Sequence, residues 1–261
     1  MKKQVYPSDM TDSQWHHIRE LFEKRNRMGR PRELDLRAVV NAILYVLATG
    51  VQWRYLPTDY PKWQSVYYYF RKFERDGTWL LAHEQLRAEV RRSIGKHKHP
   101  TAGCLDSQSV KTVGVSSCFG YDAGKRVKGR KRHILVDTLG LLLIVLVTVA
   151  DTQDRDGAKL LFRRLSGSCK KLRKVWVDGG YRGELLDWVK SHFKFALSVV
   201  LRSEEQSGFY VLPRRWVVER TLAWLNHHRR LSKDYEVFPQ TSETFILIAM
   251  TRLMLRRLQP L

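Results

Sequence analysis

The spacing of hydrophobic positions changes once along this chain. Over residues 1–95 they return every three to four positions, the period of an amphipathic helix. In SDMTDSQWHHIRELFEK, Trp15, Ile18, Leu21 and Phe22 recur behind the capping candidates Ser8, Asp9 and Thr11, which predicts a first helix. LDLRAVVNAILYVLATG predicts a second, ended by Gly50, and QSVYYYFRKFERDGTW and LLAHEQLRAEVRRSIG predict two more. The basic loop RNRMGRPRE, punctuated by Gly29 and Pro31, and the proline turn VQWRYLPTDYPKW separate them. Short helices joined by tight turns, rich in arginine and aromatics, suit a helix-turn-helix module or a plain helical bundle equally well.

After KHKHP (96–100), a linker by composition, the period shortens. TAGCLDSQSV reads as a strand ending near Asp106, and KRHILVDTLGLLLIVLVTVAD as two strands about a turn at Thr138-Leu139-Gly140. DRDGAKLLFRRLSG is a helix, LRKVWVDGG a strand, YRGELLDWVKSHF a helix and FALSVVLRS a strand. Two helices close the chain, a long one over PRRWVVERTLAWLNHHRRLSKDYE and another over TSETFILIAMTRLMLRRLQ. The order predicts an α/β fold, one mixed sheet flanked by helices over 101–261, preceded by a small all-helical domain over 1–95.

Charge adds a partner to this picture. Lys and Arg number 47 against 26 Asp and Glu, a net charge of +21 that comes in clusters. Such an excess suits a polyanion, most often nucleic acid. The three cysteines, Cys104, Cys118 and Cys169, have neither zinc-site nor disulfide-framework spacing and suit a reducing, cytoplasmic setting. The longest apolar run, Leu139 to Ala150, is too short for a bilayer span of about 20 residues, and the first residues lack the apolar stretch of a secretory leader.

Carboxylates at element ends are the candidate chemistry, because hard divalent cations take oxygen ligands. Asp106, Asp137, Asp151, Asp154, Asp156, Asp178 and Glu219 are the candidates. Asp137 precedes a turn, and Asp154 and Asp156 stand where a helix cap belongs. Asp106 and Asp178 each end an apolar strand, and neighbouring parallel strands would bring them to one sheet edge, where open α/β sheets bind ligands. Asp178 is followed by Gly179-Gly180, which is turn chemistry and also leaves room for a bulky partner. A lone Glu219 in a basic helix is ordinarily a salt-bridge partner.

LDSQSVKT, KGRKRHILVDTLG, VWVDGGYRG and PRRWVVERTLAWLNHHRRLSKDYE occur in that order. With the front segment GRPRELDLRAVVNAILYVLATGVQWRYLP, they resemble the DDE transposases of bacterial insertion sequences, in the group of families four and five. The resemblance covers essentially the whole chain. It implies an RNase H-like catalytic domain, a triad on Asp106, Asp178 and Glu219, and two Mg²⁺ or Mn²⁺ ions held by those acids. It also implies double-stranded DNA as partner, at the element's terminal repeats and at the target, and a homodimer assembled on that DNA. The reaction implied is cleavage at the element ends and joining to target DNA. A nuclease or resolvase without strand transfer, and a non-catalytic DNA-binding derivative, are the alternatives. The family's Y-x2-R-x3-E-x6-K pattern is met at Arg215 and Glu219, while Leu212 and Asn226 stand at the Tyr and Lys positions.

DNA contacts are expected from Arg30 and Arg32 in the front loop, from Lys111, and from Lys128, Arg130 and Lys131 in a basic hairpin arm over GKRVKGRKRH. Tyr181 is expected to pack on a sugar or base. At about 100° per residue, Arg215, Glu219, Asn226, Arg230 and Lys233 share one side of the long helix, with Val217, Thr221, Trp224, Leu225 and His228 opposite. Arg215, Arg230 and Lys233 are therefore further phosphate contacts.

Overall fold

The computed structural model describes residues 6–23, 33–165, 169–201 and 214–260. Arg30, Arg32 and Leu212 lie outside the described residues. The chain forms two compact units. One comprises Met1–Lys96, His227–Leu231 and Thr244–Leu261, the other His97–Asn226 and Ser232–Glu243. The first break falls between Lys96 and His97, within the stretch expected as a linker, and two later segments group with the helical unit.

The helical unit contains α1 (Asp12–Phe22), α2 (Leu36–Thr49), α3 (Trp63–Arg75) and α4 (Thr78–Ser93). Thr11 and Gln14 form a reciprocal capping box at the start of α1, so of the three cap candidates Thr11 is the one used. Asp35 caps α2 by accepting from the N–H groups of Arg37 and Ala38, and Gly50 ends it in the left-handed region at φ +73°. Ile18, Phe22, Val40, Ile43, Val66, Phe70, Phe73, Trp79 and Leu86 fill the core. The end of the chain contributes to the same core. Phe245 stacks on Phe70 with ring centroids 5.0 Å apart, and Thr244 donates to Glu74 at 3.2 Å.

The second unit is built on one sheet: β1 (Ala102–Lys111), β2 (Gly120–Asp122), β3 (Val127–Asp137), β4 (Leu142–Val149), β5 (Lys174–Val177) and β6 (Ala196–Val199). Its order is β2-β3-β1-β5-β6, with β4 paired to β3. The β1–β3, β2–β3 and β3–β4 pairs are antiparallel, while β1–β5 and β5–β6 are parallel. Asp137 organises the β3–β4 turn, its Oδ1 accepting from the N–H groups of Leu139 and Leu141 around Gly140 at φ +79°.

Helices α5 (Asp154–Arg163) and α6 (Glu184–His192) supply Leu161, Phe162, Leu185 and Val189 to the core formed with Leu105, Leu135, Val175 and Val177. Gln153, not Asp154 or Asp156, holds the cap position of α5, and both aspartates lie in its first turn. α7 (Trp216–Asn226) anchors to the β3–β4 turn through Thr221, whose Oγ1 donates to the Gly140 carbonyl at 2.9 Å, and through Arg220, which donates to the Leu139 carbonyl at 3.0 Å.

Two expectations change. β1 does not end at Asp106 but runs to Lys111, because β3 continues to pair with it. The long helix stops at Asn226, a 3₁₀ turn follows over Arg229–Leu231, and Asp234 then bridges to Thr112 in strand fashion. The last helix, α8, spans Pro239–Leu258. Among the described residues no helix is long and apolar enough to cross a membrane.

Candidate active site

Period-two alternation aims the side chains of β1. Leu105 enters the core beside α5 and α6, and Ser107 donates to Asp154 Oδ1 at 2.7 Å. Cys104 and Asp106 point to the other face, where Cys104 Sγ donates to the Arg214 carbonyl at 3.1 Å. The pairing of β1 with β5 ends at Cys104 and Trp176, two residues before each aspartate. Beyond that point the β5 side of β1 is open, and Asp106 stands beside the opening. Asp178 follows β5 directly, and its Oδ1 accepts from the Gly180 N–H at 2.9 Å, closing the 3₁₀ turn Gly179–Tyr181. The turn chemistry of Asp-Gly-Gly thus fixes one oxygen of the carboxylate and leaves the other to face outward.

That second oxygen meets a shared cation. Arg215 Nη2 stands 3.5 Å from Asp106 Oδ2, 3.7 Å from Asp178 Oδ2 and 3.8 Å from Glu219 Oε1. One guanidinium nitrogen thus lies within 4 Å of all three acids. Exposure rises across the group, from 17% for Asp106 to 34% for Asp178 and 54% for Glu219, so the cluster opens toward solvent on the α7 side. Arg215 and Glu219 are one helical turn apart, the spacing that lets i and i+4 side chains meet.

Burial pushes the Asp106 carboxyl up to about 6, and the negative charge of Asp178 adds to this. The Ser107 N–H, which donates to Asp106 Oδ1 at 2.7 Å, and the charges of Arg215 and Lys125 oppose the rise. The three acids are an all-oxygen donor set, the kind a hard divalent cation takes, and their centre already accommodates positive charge. As placed around Arg215, they do not themselves close into a metal-holding group, nor does any other set of acids, histidines or cysteines among the described residues.

The expected DNA contacts divide by exposure. Lys111, Lys128 and Lys233 are exposed. Arg130 is fully buried, with its guanidinium donating to Asp234 Oδ1, Ser116 Oγ and the carbonyls of Cys118, Glu236 and Val237. Lys131 is buried between Asp122 and Asp154, 3.4 and 3.2 Å away. The second half of the hairpin arm is therefore interior: β3 is covered on both faces there, and Arg130 and Lys131 each find an acid. Tyr181 is 1% exposed and belongs to the core, so it does not present its ring to DNA. Arg230 is buried with its guanidinium 5.3 Å from the Phe245 ring, and it leaves the expected helical stripe because α7 has ended. Of that stripe, only Arg215, Glu219 and Asn226 remain on or directly before one helix.

Sequence reasoning passed over Ser107 and Asp122, which with Lys125 and Asp154 form the polar group behind Asp106; Asp154 reads from the sequence only as a cap. Asp122 accepts from the Ser109 hydroxyl at 2.5 Å and from the Lys125 N–H at 3.0 Å. Burial alone would raise its carboxyl, but these bonds and Lys131 outweigh that and hold it below the usual range. The overlooked signal was Asp-Ala-Gly-Lys, turn chemistry that closes the β2–β3 hairpin.

Comparison with known proteins adds identity to this geometry. Residues 97–254 match the family described as the transposase DDE domain, and residues 10–83 match a family described as candidate transposases of the IS4/5 group. A Burkholderia cepacia protein described as a candidate transposase for insertion sequence element IS402 is 32% identical over 121 residues, 41% of this chain and 54% of that protein. A second protein of the same organism, described as an uncharacterised 16.2 kDa protein of insertion element IS402, is 30% identical over 115 residues, 42% of this chain and 77% of its own length. The chain thus spans about half the length of the first of these relatives.

Proposed function

Because the chain belongs to the transposases with a DDE domain, whose fold is RNase H-like, we propose that it cuts DNA at the ends of an insertion sequence and joins them to target DNA, using Asp106, Asp178 and Glu219. The observation that carries this reading is the convergence of the three carboxylates on one Arg215 nitrogen. They come from a strand, a strand end and a helix, more than 100 positions apart in all, and no structural need of the fold calls for three acids around one cation.

The residues divide the work. The Ser107 and Gly180 N–H groups fix one oxygen each of Asp106 and Asp178, which orients the remaining oxygens toward the centre. Arg215 restrains the mutual repulsion of the acids. Asp106, Asp178 and Glu219 would hold Mg²⁺ or Mn²⁺, two ions in the full site. Such ions supply charge at the phosphate and an activated oxygen nucleophile. The exposed Lys111, Lys128 and Lys233 would meet the backbone of double-stranded DNA, and residues 1–95 would contribute recognition of the element ends. We place the working protein in the cytoplasm, as a homodimer on DNA.

Duplexes copied from the DNA bordering the reading frame test the proposal. Asp106→Asn, Asp178→Asn and Glu219→Gln should each abolish Mg²⁺- or Mn²⁺-dependent cutting and leave DNA binding in place. Cutting that survived all three substitutions, or that ran undiminished in excess chelator, would refute the assignment. Joined products with a target plasmid separate a transposase from a nuclease that only cuts.

A further inference from the structure

Lys125 lies in the basic arm GKRVKGRKRH but was not one of the contacts named within it, and its ammonium reaches the acid cluster's own strand. Nζ lies 3.3 Å from the Ser107 carbonyl oxygen and 3.5 Å from Ser107 Oγ. Ser107 is the neighbour of Asp106, and its N–H is the donor to Asp106 Oδ1. In an extended strand the N–H and C=O of one residue project to the same side, and alternate residues share that side. Thr101, whose carbonyl accepts from Arg173, and Lys111, whose carbonyl accepts from Asp234, have the same parity as Ser107. All three therefore face the β5 side of β1. Thr101 finds the approach to β5 there, and Lys111 finds the Asp234 segment. Ser107 lies between, where β5 has stopped, and its two backbone groups are taken by the Asp106 carboxylate and the Lys125 ammonium. The open edge of β1 thus gathers one acid and one base at a single peptide position.

Two features set this lysine apart from the other basic residues nearby. Arg130 and Lys131 are buried against carboxylates, and Arg215 is shared by three acids. Lys125 has neutral oxygens as its partners, and among the described residues no carboxylate pairs with it. Its charge favours the ionised form of Asp106 through space, but no close ion pair holds it, and its residue is exposed. The turn that carries it is nevertheless fixed, because buried Asp122 accepts the Lys125 N–H and is itself held by Ser109 and Lys131.

We propose that Lys125 is a phosphate-binding residue of the acid site, exchanging its bonds to Ser107 for a non-bridging oxygen of DNA held against Asp106. The assignment rests on the proposed function for the location of the reacting phosphate, but it concerns binding and is measured apart from cutting. A cation there offsets the repulsion between a phosphodiester and the three acids, and it gives the site a grip on DNA that does not depend on the ions.

The test uses the full-length protein, without divalent metal, on two 40-base-pair duplexes. One is copied from the DNA bordering the reading frame, and the other has mixed sequence. Affinity is measured between 50 and 300 mM salt for the wild type, Lys125→Gln and Lys125→Arg. Each phosphate contact contributes about −0.9 to the log–log salt slope. Lys125→Gln should flatten the slope by about that amount on the bordering duplex, and Lys125→Arg should restore it. A neutral methylphosphonate, walked along the bordering duplex, should at one position weaken the wild type several-fold and leave Lys125→Gln unmoved. An unchanged slope in Lys125→Gln would overturn the proposal, and if its melting temperature also fell, the bonds to Ser107 would be structural only. Failure of the wild type to bind either duplex would likewise overturn it. A wild type that binds with the expected slope but never cuts would instead refute the proposed activity and leave the phosphate contact standing.

Discussion

Two of the places where the sheet unit holds buried or half-buried charge are built on opposite plans. Around Arg130 every charge is answered. The guanidinium and Asp234 are both fully buried, 3.2 Å apart, and Asp234 also accepts from the Ser242 hydroxyl and the Glu236 N–H. Around Arg215 three carboxylates share one cation, at longer distances and with rising exposure. The first arrangement satisfies itself and has nothing to offer a ligand. The second keeps an excess of negative charge beside solvent, which only a further cation would balance. Charge density alone does not mark a site; what marks it is charge left uncompensated at an accessible edge.

The sharpest way to break this contrast is to remove one acid from each place. Asp234→Asn should destabilise the fold by about 3–5 kcal/mol, because it leaves a buried guanidinium without its counter-charge. Glu219→Gln should leave stability within about 0.5 kcal/mol, and chemical denaturation of both variants compares them. If the two lost equal stability, the acid cluster would be a structural ion network.

Relief of the excess charge provides the next test. Arg215→Met leaves three carboxylates facing one another, so its melting temperature without divalent ions should drop by several degrees. Added Mg²⁺ should then raise it more than it raises the wild type, since a ligand that binds only the folded state stabilises it. Equal responses in the two proteins would detach Arg215 from the ion site.

Acidity sharpens the comparison further. The Asp106 carboxyl is raised from its ordinary value near 3.8 to about 6, so the fold favours its protonated form. Its contribution to stability is fully present below about pH 4 and is lost as pH rises through about 6. Asp106→Asn should flatten the melting profile across that window, while cutting by the wild type should decline as pH falls through about 6. A melting profile that kept its shape in Asp106→Asn would assign the dependence elsewhere.

The smallest effects belong to the surface. Lys128→Gln and Lys233→Gln should leave stability within about 0.5 kcal/mol and each flatten the salt dependence of DNA binding by about one contact. Unchanged slopes would remove both from the interface.

Asp106 and Asp178 stood out as candidates in the sequence because each was expected to end an apolar strand, whereas Glu219, a lone acid in a basic helix, joined them only through the family resemblance. The front helices were legible from their period and caps. The interior of β3 was not. Arg130 and Lys131 look like a solvated run until Asp234, Asp122 and Asp154 arrive from other parts of the chain, and no local pattern announces those partners. The end of α7 was misread because the apolar spacing continues through Leu231, while the turn chemistry of Ser232-Lys233-Asp234 went unweighed. Exposure decided Tyr181 in the same way: an aromatic beside two glycines reads as available, but its ring completes the core under β5.

The helical unit draws on three separate stretches of chain, and Phe245 in the last of them packs on Phe70. That has a consequence for the order of events on the ribosome. The first helices emerge early but lack part of their core until residues beyond 244 are made, later than every strand of the sheet. Synthesis therefore begins the helical unit first and completes it last. A nascent chain interrupted anywhere before Phe245 would carry an unfinished front unit, so a prematurely terminated copy would be prone to clearance and would not accumulate as a folded fragment.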